Sequence, residues 1–135
     1  MVAAAEEIGD RWMLLILREA FYGVMRYDDI RADLDIPRAM LSDRLARLVE
    51  RGCLEKRPYR EAGDRTRHAY ALTEKGQGLA LSLIALTQWG EAHVLGRDGP
   101  VEIVDQVSGR VLRTALVDDD GRVVPAGKAS IRVRE

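Results

Sequence analysis

The segment between Pro37 and Gly52 constrains the fold of this chain most, because it carries the start, the end and the apolar face of one helix. Proline disfavours helical geometry in the residue before it and is tolerated at a first helical position. Glycine is the residue type that commonly ends a helix in the left-handed conformation. The apolar residues in between repeat at helical spacing and form one stripe: Leu41, Leu45, Leu48 and Val49. We therefore expect a helix over residues 37–51, beginning at Pro37, with one buried face and an opposite face that is free to bind a partner.

Two further helices are predicted ahead of this one. The first follows Asp10, a residue type that caps helix N-termini, and runs over residues 11–21 to an end near Gly23. A brief second helix is predicted over residues 27–34, where the apolar residues again have helical spacing. The tight turn between the second and third helices predicts a helix-turn-helix.

A β-hairpin is predicted directly behind the third helix. Residues 53–60 have the interleaved polar positions of a strand, and residues 68–73 return as a second strand. The turn between them, residues 61–67, is rich in charge and has Gly63 and Asp64 at its tip. We refer to residues 53–73 as the wing.

The last predicted helix and the first one have more apolar surface than a small core can cover. Thr73 caps this last helix, which extends to about Val94, with Gly76 and Gly78 weakening its first turns. Residues 12–17 of the first helix are apolar all round, so a partner subunit is expected. The candidate residues for a dimer interface or a ligand cleft are Trp12, Ile16, Phe21, Tyr22, Leu83, Leu86 and Trp89. Packing in the core or the interface is the simpler interpretation of their rings, and a small-molecule effector between subunits is the alternative.

The tail beyond this helix is rich in β-forming residues. We expect a small β-meander whose strands are separated by turns at Ser108 and Gly109, at 119–121 and at 125–127. Alternation of Ile131 and Val133 with arginines predicts that one face of the last strand is buried. The predicted fold class is therefore α+β: a winged helix-turn-helix domain over residues 1–95 and a C-terminal β-rich extension over residues 96–135.

Basic residues are concentrated in the centre of the chain. The net charge is −1, yet residues 37–68 contain nine basic and five acidic residues, whereas residues 1–36 contain four basic and eight acidic ones. A local basic patch, rather than the overall charge, indicates a surface that binds phosphate groups.

The third helix and the wing together supply the residues expected to contact double-stranded DNA. The B-form major groove, about 12 Å wide, admits one helix with its side chains. Arg38 and Arg47 can each fork onto a guanine, whereas Asp43 accepts from a cytosine amine or holds a neighbouring arginine. Arg44 is expected to contact phosphate or to form an internal salt bridge. The alternative for all of the polar residues on this helix face is that they are simply solvated and do not contact DNA. The predicted DNA-contacting residues are Arg38, Ala39, Ser42, Asp43, Arg44 and Arg47 on the helix and Arg60, Arg65 and Arg67 on the wing.

Four motifs in this order resemble the HxlR-type winged-helix regulators, which are relatives of the MarR group. They are GDRWMLLILRE at residues 9–19, MLSDRLARL at 40–48, GCLEKR at 52–57 and YALTEKG at 70–76. The resemblance covers roughly residues 6–95. It implies a transcriptional regulator, with a repressor expected, that binds a roughly palindromic operator as a homodimer formed through the first and last helices. It also implies that the third helix enters the major groove and that the wings flank it, with recognition helices about 34–36 Å apart.

The chain also departs from that family. Many members have a sensor cysteine ahead of the first helix, where this chain has alanines at residues 3–5. The single cysteine, Cys53, is expected to be a small buried apolar residue. Pro37 stands where relatives often have a capping serine, and the tail lacks the cysteine pairs that would hold a metal.

Enzymatic activity, cofactors and metals are not expected. His68 and His93 have no nucleophile at a recognisable spacing, and no phosphate-binding or dinucleotide glycine pattern is present. Asp118, Asp119 and Asp120 lack the spacing of a calcium loop and indicate a turn. No secretory signal or membrane span is predicted and the cysteine cannot pair internally, so a cytoplasmic location is expected. The remaining alternative is a dimeric ligand-binding or protein-interaction module on the same scaffold, without DNA binding.

Overall fold

The computed structural model describes residues 1–63 and 65–133. They form two compact units, of which the first is Met1–Leu83 and the second begins at Ile84. The helices are α1 (Val2–Ile8), α2 (Arg11–Phe21), α3 (Tyr27–Leu34), α4 (Arg38–Glu50), α5 (Glu74–Gln77) and α6 (Ala80–Gly90). The strands are β1 (Leu54–Tyr59), β2 (Arg67–Leu72), β3 (Leu116–Val117) and β4 (Val123–Val124). The mixed α+β architecture of a winged helix-turn-helix predicted from the sequence is confirmed. The units divide inside α6, ahead of the boundary expected at residue 95.

Helix α2 begins and ends as its sequence predicts. One carboxylate oxygen of Asp10 accepts hydrogen bonds from the backbone amides of Trp12, at 3.1 Å, and Met13, at 3.2 Å. These bonds satisfy two of the four amides that a helix N-terminus leaves without partners. The helix ends just before Gly23, whose φ of +82° lies in the left-handed region. The sequence did not predict α1, the short helix that precedes it.

The core of the first unit is formed by α2, α3, α4 and the first wing strand. Burying these side chains is the main source of its stability, at about 25 cal/mol for each Å² of apolar surface removed from water. The predicted stripe on α4 faces this core, with Leu41, Leu45 and Leu48 fully buried and Val49 half-buried. The other side chains that are almost fully buried are Met13, Ile16, Leu17, Ile30, Ile36, Cys53 and Leu54.

The turn between α3 and α4 sets the start of α4. Asp35 has a φ of +48°, and aspartate tolerates this left-handed conformation better than most residues. Pro37 is extended, with φ −58° and ψ 140°, so it is the residue before the helix and not its first residue as expected. The end of α4 agrees with the prediction, because Gly52 has a φ of +73°.

The predicted wing is an antiparallel hairpin. β1 pairs with β2 from Leu54 opposite Leu72 to Tyr59 opposite Arg67. The segment before α3 adds a short third edge, since Arg26 bridges Ala69 on the far side of β2. Gly63 in the turn has a φ of +81°, and Asp64, the other residue predicted at the tip, lies outside the described residues.

The single long helix predicted from Thr73 to Val94 is wrong. Thr73 does cap a helix, because its hydroxyl oxygen accepts a hydrogen bond from the amide of Gly76 at 3.0 Å. That helix is the one-turn α5, a turn at Gly78 and Leu79 separates it from α6, and a wider helical turn, Glu91–Leu95, follows α6. Glycine lowers helix propensity by about 1 kcal/mol, so the two glycines allow the interruption.

The β-meander predicted for the tail is reduced to short pieces. β3 and β4 pair over two residues each, and Val104 bridges Val111. The turns at Gly109 and Gly121 are as expected, with φ of +68° and +78°. The expected buried face of the last segment is wrong, since Ile131 is 98% and Val133 85% exposed. A segment in which apolar and polar residues alternate forms a strand only where a second strand pairs with it. Among the described residues, no strand pairs with residues 129–133.

Candidate nucleic-acid interface

The outer face of α4 is exposed along its length. Because the stripe of leucines is buried, the residues on the opposite side point outward, as helical geometry requires. The exposed residues include all five that were predicted to face a major groove: Arg38, Ala39, Ser42, Asp43 and Arg47. Small side chains at Ala39 and Ser42 leave room for a close approach.

Tyr27 joins the start of α3 to the start of α4. Its phenol oxygen lies 3.1 Å from the backbone carbonyl oxygen of Arg38 and 3.0 Å from the hydroxyl oxygen of Ser42. The contact ties the first turn of α4 to the preceding helix, where Pro37 supplies no side-chain cap. Sequence reasoning missed Tyr27, because nothing in the spacing of residues on two different helices indicates the contact.

A chain of ion pairs crosses α4 from the core side to the outer face. Arg44 donates from Nε to Asp10 at 3.0 Å and from a terminal nitrogen to Asp43 at 2.6 Å. Asp43 also lies 3.2 Å from Nε of Arg47. Arg44 is the least exposed member, with 19% of its side chain accessible, so the structure places it in the internal salt bridge that was one of its two predicted roles. Asp43 holds neighbouring arginines, which was likewise one of its two predicted roles.

These contacts change the pKa values of two members. Hydrogen bonds from Arg44 hold the pKa of the Asp10 carboxyl below its ordinary value of 3.8, and the amides of Met13 and Trp12 act in the same direction against the effect of burial. Hydrogen bonds to Asp10 and Asp43 raise the pKa of Arg44. Both groups are therefore charged near neutral pH, and the network joins the N-terminus of α2 to the exposed face of α4.

Asp10→Asn is expected to make stability less dependent on acid pH. Asparagine caps helices about as well as aspartate, so the variant loses mainly the charge opposite Arg44. Because the pKa of Asp10 is lower in the folded state than in the unfolded state, its ionised carboxylate stabilises the protein at any pH above the unfolded-state pKa. This stabilisation is lost as the pH falls through the folded-state pKa. Urea unfolding should therefore show the wild type more stable by about 1 kcal/mol near neutral pH, a figure reduced for the partial exposure of Asp10. The gap should close at about pH 2, and a gap of equal size at both pH values would contradict the ion pair.

The wing and the start of α4 enclose a basic groove of about 320 Å³. Its basic lining comes from Arg38 on α4 and from Arg65 and Arg67 on the wing, whereas Asp28 on α3 adds one carboxylate. His68, Tyr59 and Tyr70 contribute rings. Arg67 lies 3.5 Å from Asp28, and Arg65 is exposed at the turn. Thus three of the predicted arginines line one surface.

Two other arginines near the wing are engaged in contacts of their own. Arg60 donates from Nε to the hydroxyl of Thr66 at 3.1 Å, across the wing turn. Arg26 was not predicted to belong to this surface, yet it lies 4.7 Å from the ring centre of Tyr59 and pairs with Glu61 at 2.6 Å. The wing is thereby braced against the segment that precedes α3.

The family model of the HxlR-like helix-turn-helix proteins matches residues 7–97. This chain belongs to the HxlR-like family. The match agrees with the resemblance to residues 6–95 seen in the sequence motifs, and its limits enclose α2 to α6 with the wing.

Curated relatives are regulators that have the same helix-turn-helix. An uncharacterised HTH-type transcriptional regulator of Mycobacterium tuberculosis, Rv3095, is 46% identical over 97 residues, which are 72% of this chain and 60% of that protein. An uncharacterised HTH-type transcriptional regulator of Methanothermobacter thermautotrophicus is 33% identical over 91 residues, 67% of this chain and 68% of that protein. The matched region thus spans about three fifths of the length of the mycobacterial relatives.

Two solved structures extend the likeness of this HxlR-like chain into its tail. PA1607, a candidate transcription factor, is 32% identical with a TM-score of 0.79 over 95% of this chain and 89% of that one. PA1374 of Pseudomonas aeruginosa, also a candidate transcription factor, is 35% identical with a TM-score of 0.66 over 98% and 90%. A MarR-family regulator of Enterococcus faecalis, at 28% identity and a TM-score of 0.57, covers only 70% of this chain.

The candidate interface residues of this HxlR-like protein differ widely in exposure. Ile16 is fully buried in the core of a single chain, so it has no surface left to contact a ligand or a second subunit. The prediction that Ile16 belongs to a dimer interface or a ligand cleft is therefore wrong. Trp12, Phe21 and Leu83 are half-buried, Tyr22 is exposed, and Leu86 and Trp89 are exposed by more than half. On α6 no residue is buried, although most of the helix is apolar.

Cys53 is a buried structural residue, whereas the two histidines are exposed. Cys53 is 1% exposed, and burial raises the pKa of its thiol, which disfavours the reactive thiolate. His93 lies 5.8 Å from the ring of Trp89, and His68 is exposed. Asp118 accepts hydrogen bonds from the amides of Asp120 and Arg122, as a turn requires. Within residues 1–63 and 65–133, no helix is long and apolar enough to cross a membrane.

Proposed function

We propose that this protein is a DNA-binding transcriptional regulator, a repressor, which binds a palindromic operator as a homodimer in the cytoplasm. The observation that carries the proposal is the convergence of Arg38, Arg65 and Arg67 on one groove beside the exposed face of α4. A helix whose apolar stripe is buried and whose outer face has arginines and small residues suits the major groove. The wing then contacts flanking backbone or the minor groove.

The structure favours different roles within the predicted DNA-contacting set. Arg38 and Arg47 donate to bases or phosphates, and Ala39 and Ser42 allow the close approach. We assign Asp43 and Arg44 to positioning Arg47, because their charges already satisfy one another and Asp10. Arg60, Arg65 and Arg67 contact phosphates from the wing.

A second copy of the chain is the expected partner of α6. Leu81, Leu86 and Trp89 are 66%, 54% and 59% exposed, and an apolar helix left open in this way is typical of an obligate dimer. A dimer presents two copies of α4, so its operator has two half-sites about one duplex turn apart. In this proposal residues 1–95 bind DNA and form the dimer, and residues 96–135 are an extension. A small-molecule effector at the cleft between subunits remains the alternative to simple packing of the apolar rings there.

Removing the wing arginines is expected to weaken DNA binding and its dependence on salt. Each phosphate contact contributes a slope of about 0.9 in a plot of log affinity against log salt, so Arg65→Ala/Arg67→Ala should lower the slope by about 1.8. Gel-shift titrations on the DNA upstream of the protein's own gene, at two salt concentrations, measure this change. Arg47→Ala should lower affinity in the same assay.

The matched control is Arg110→Ala/Arg132→Ala, which removes two exposed tail arginines and the same net charge. The proposal expects this variant to bind as the wild type does. Equal behaviour of the wing and tail variants would refute the DNA-binding assignment. It would favour the alternative, a dimeric ligand-binding or interaction module.

A further inference from the structure

The hydroxyl of Ser42 is held by Tyr27 at the point where α4 would meet the bases. Ser42 is exposed one turn after Arg38, in the N-terminal half of the helix, which is the part of a recognition helix that contacts base edges. The Tyr27 phenol oxygen lies 3.0 Å from this hydroxyl and 3.1 Å from the carbonyl oxygen of Arg38. Three oxygen atoms therefore share two hydroxyl protons.

The chemistry of these groups determines where the two protons go. A backbone carbonyl oxygen can only accept, so the single proton of the Tyr27 phenol is donated to Arg38. The contact between the two hydroxyls is then satisfied only if Ser42 donates its own proton to the phenol oxygen. Ser42 is left with lone pairs, and no proton, to offer to the solvent side.

We propose that Tyr27 makes Ser42 an obligate hydrogen-bond acceptor, so that Ser42 selects adenine or cytosine on the strand that it faces. In the major groove, adenine N6 and cytosine N4 donate, whereas guanine O6 and N7 and thymine O4 accept. A free serine hydroxyl would serve either class, because it can donate or accept. This inference rests on the proposed function, since it concerns how the same helix face reads DNA.

The neighbouring side chains give this acceptor a distinct role. Arg38 and Arg47 are donors only, and Asp43, the acceptor next to Ser42, is engaged by Arg44 and Arg47. The other exposed carboxylate of α4, Glu50, is the last residue of the helix and lies two turns beyond Ser42. Within the N-terminal half of this outer face, Ser42 is thus the acceptor for which the described residues supply no cation.

The test is a binding selection from a duplex library with a randomised core, followed by sequencing of the bound fraction. The proteins compared are the wild type, Ser42→Ala, Tyr27→Phe and Tyr59→Phe. The last is the matched control, because it removes a phenol oxygen from the same groove and keeps the ring that contacts Arg26. Circular dichroism confirms that each variant is folded.

The wild type should prefer adenine or cytosine over guanine and thymine at one position of each half-site, by about fivefold, the worth of one neutral hydrogen bond. Ser42→Ala should remove the preference at that position, and Tyr27→Phe should flatten it because the serine proton is released. Tyr59→Phe should keep it.

Three results would overturn the inference. A wild type that selects no sequence refutes the proposed function and this inference together. A wild type with clear sequence preference that Tyr27→Phe leaves unchanged refutes the inference alone, as does a Ser42-dependent position that prefers guanine or thymine.

Discussion

Gly76→Ala is expected to destabilise the protein by about 3 kcal/mol or more, at the upper end of the usual cost of overpacking. An added β-carbon would lie 2.1 Å from the carbonyl oxygen of Cys53 and 3.0 Å from a methyl carbon of Leu72. That carbonyl cannot easily move, because it accepts hydrogen bonds from the amide and the hydroxyl of Thr73. The substitution should therefore separate α5 from the base of the wing.

Gly90→Ala is the matched control for this prediction. Gly90 has helical dihedrals, with φ −64° and ψ −40°, and an added β-carbon would meet nothing within 4 Å. The same chemical change should here stabilise by about 0.5–1 kcal/mol. Urea unfolding at one protein concentration measures both changes. Equal effects of the two substitutions would show that the close approach to Cys53 does not govern stability.

Trp89→Glu is expected to convert the dimer to a monomer and to lower operator affinity by about a hundredfold. The side chain is 59% exposed in a single chain, and burying a new carboxylate in an apolar interface is strongly unfavourable. Loss of the second half-site removes the gain from bivalent binding, which is typically at least a hundredfold. Sedimentation should show the mass falling from about twice 15.1 kDa to the mass of one chain.

The control for the dimer prediction is Val107→Glu, which places the same charge on a tail residue that is 96% exposed. This variant should remain dimeric and bind DNA. A wild type that sediments as a monomer at micromolar concentration would refute the homodimer. A dimeric Trp89→Glu would show that α6 is not the interface.

Much of the candidate site was predictable because its signals are local. The end of α4 at Gly52 and its buried leucines follow from conformational preferences and helical spacing alone, and its start was predicted to within one residue. The wing follows from two β-forming segments around a glycine turn. With these elements placed, the exposure of Arg38, Ser42 and Arg47 follows from geometry.

The contacts within that site were not predictable in the same way. Asp10 and Arg44 are 34 residues apart, and Tyr27 and Ser42 are 15 apart, on elements whose relative orientation is determined by core packing. The sequence allowed Arg44 either phosphate or an internal partner. Only the packing of α2 against α4 brings Asp10 within reach and so favours the internal role.

The tail and the last helix show where prediction from the amino-acid sequence ends and where the tertiary structure is needed. The sequence alone determined the ends of α2, the end of α4 at Gly52, the apolar stripe of α4, the turns at Gly109 and Gly121 and the position of the basic segment, since each depends on residues within a few positions of one another. The tertiary structure alone decided that the last helix breaks at Gly78, that the tail strands are two residues long and that the hydroxyl of Tyr27 contacts that of Ser42. Those outcomes depend on which distant atoms come into contact, and neither spacing nor propensity contains that information.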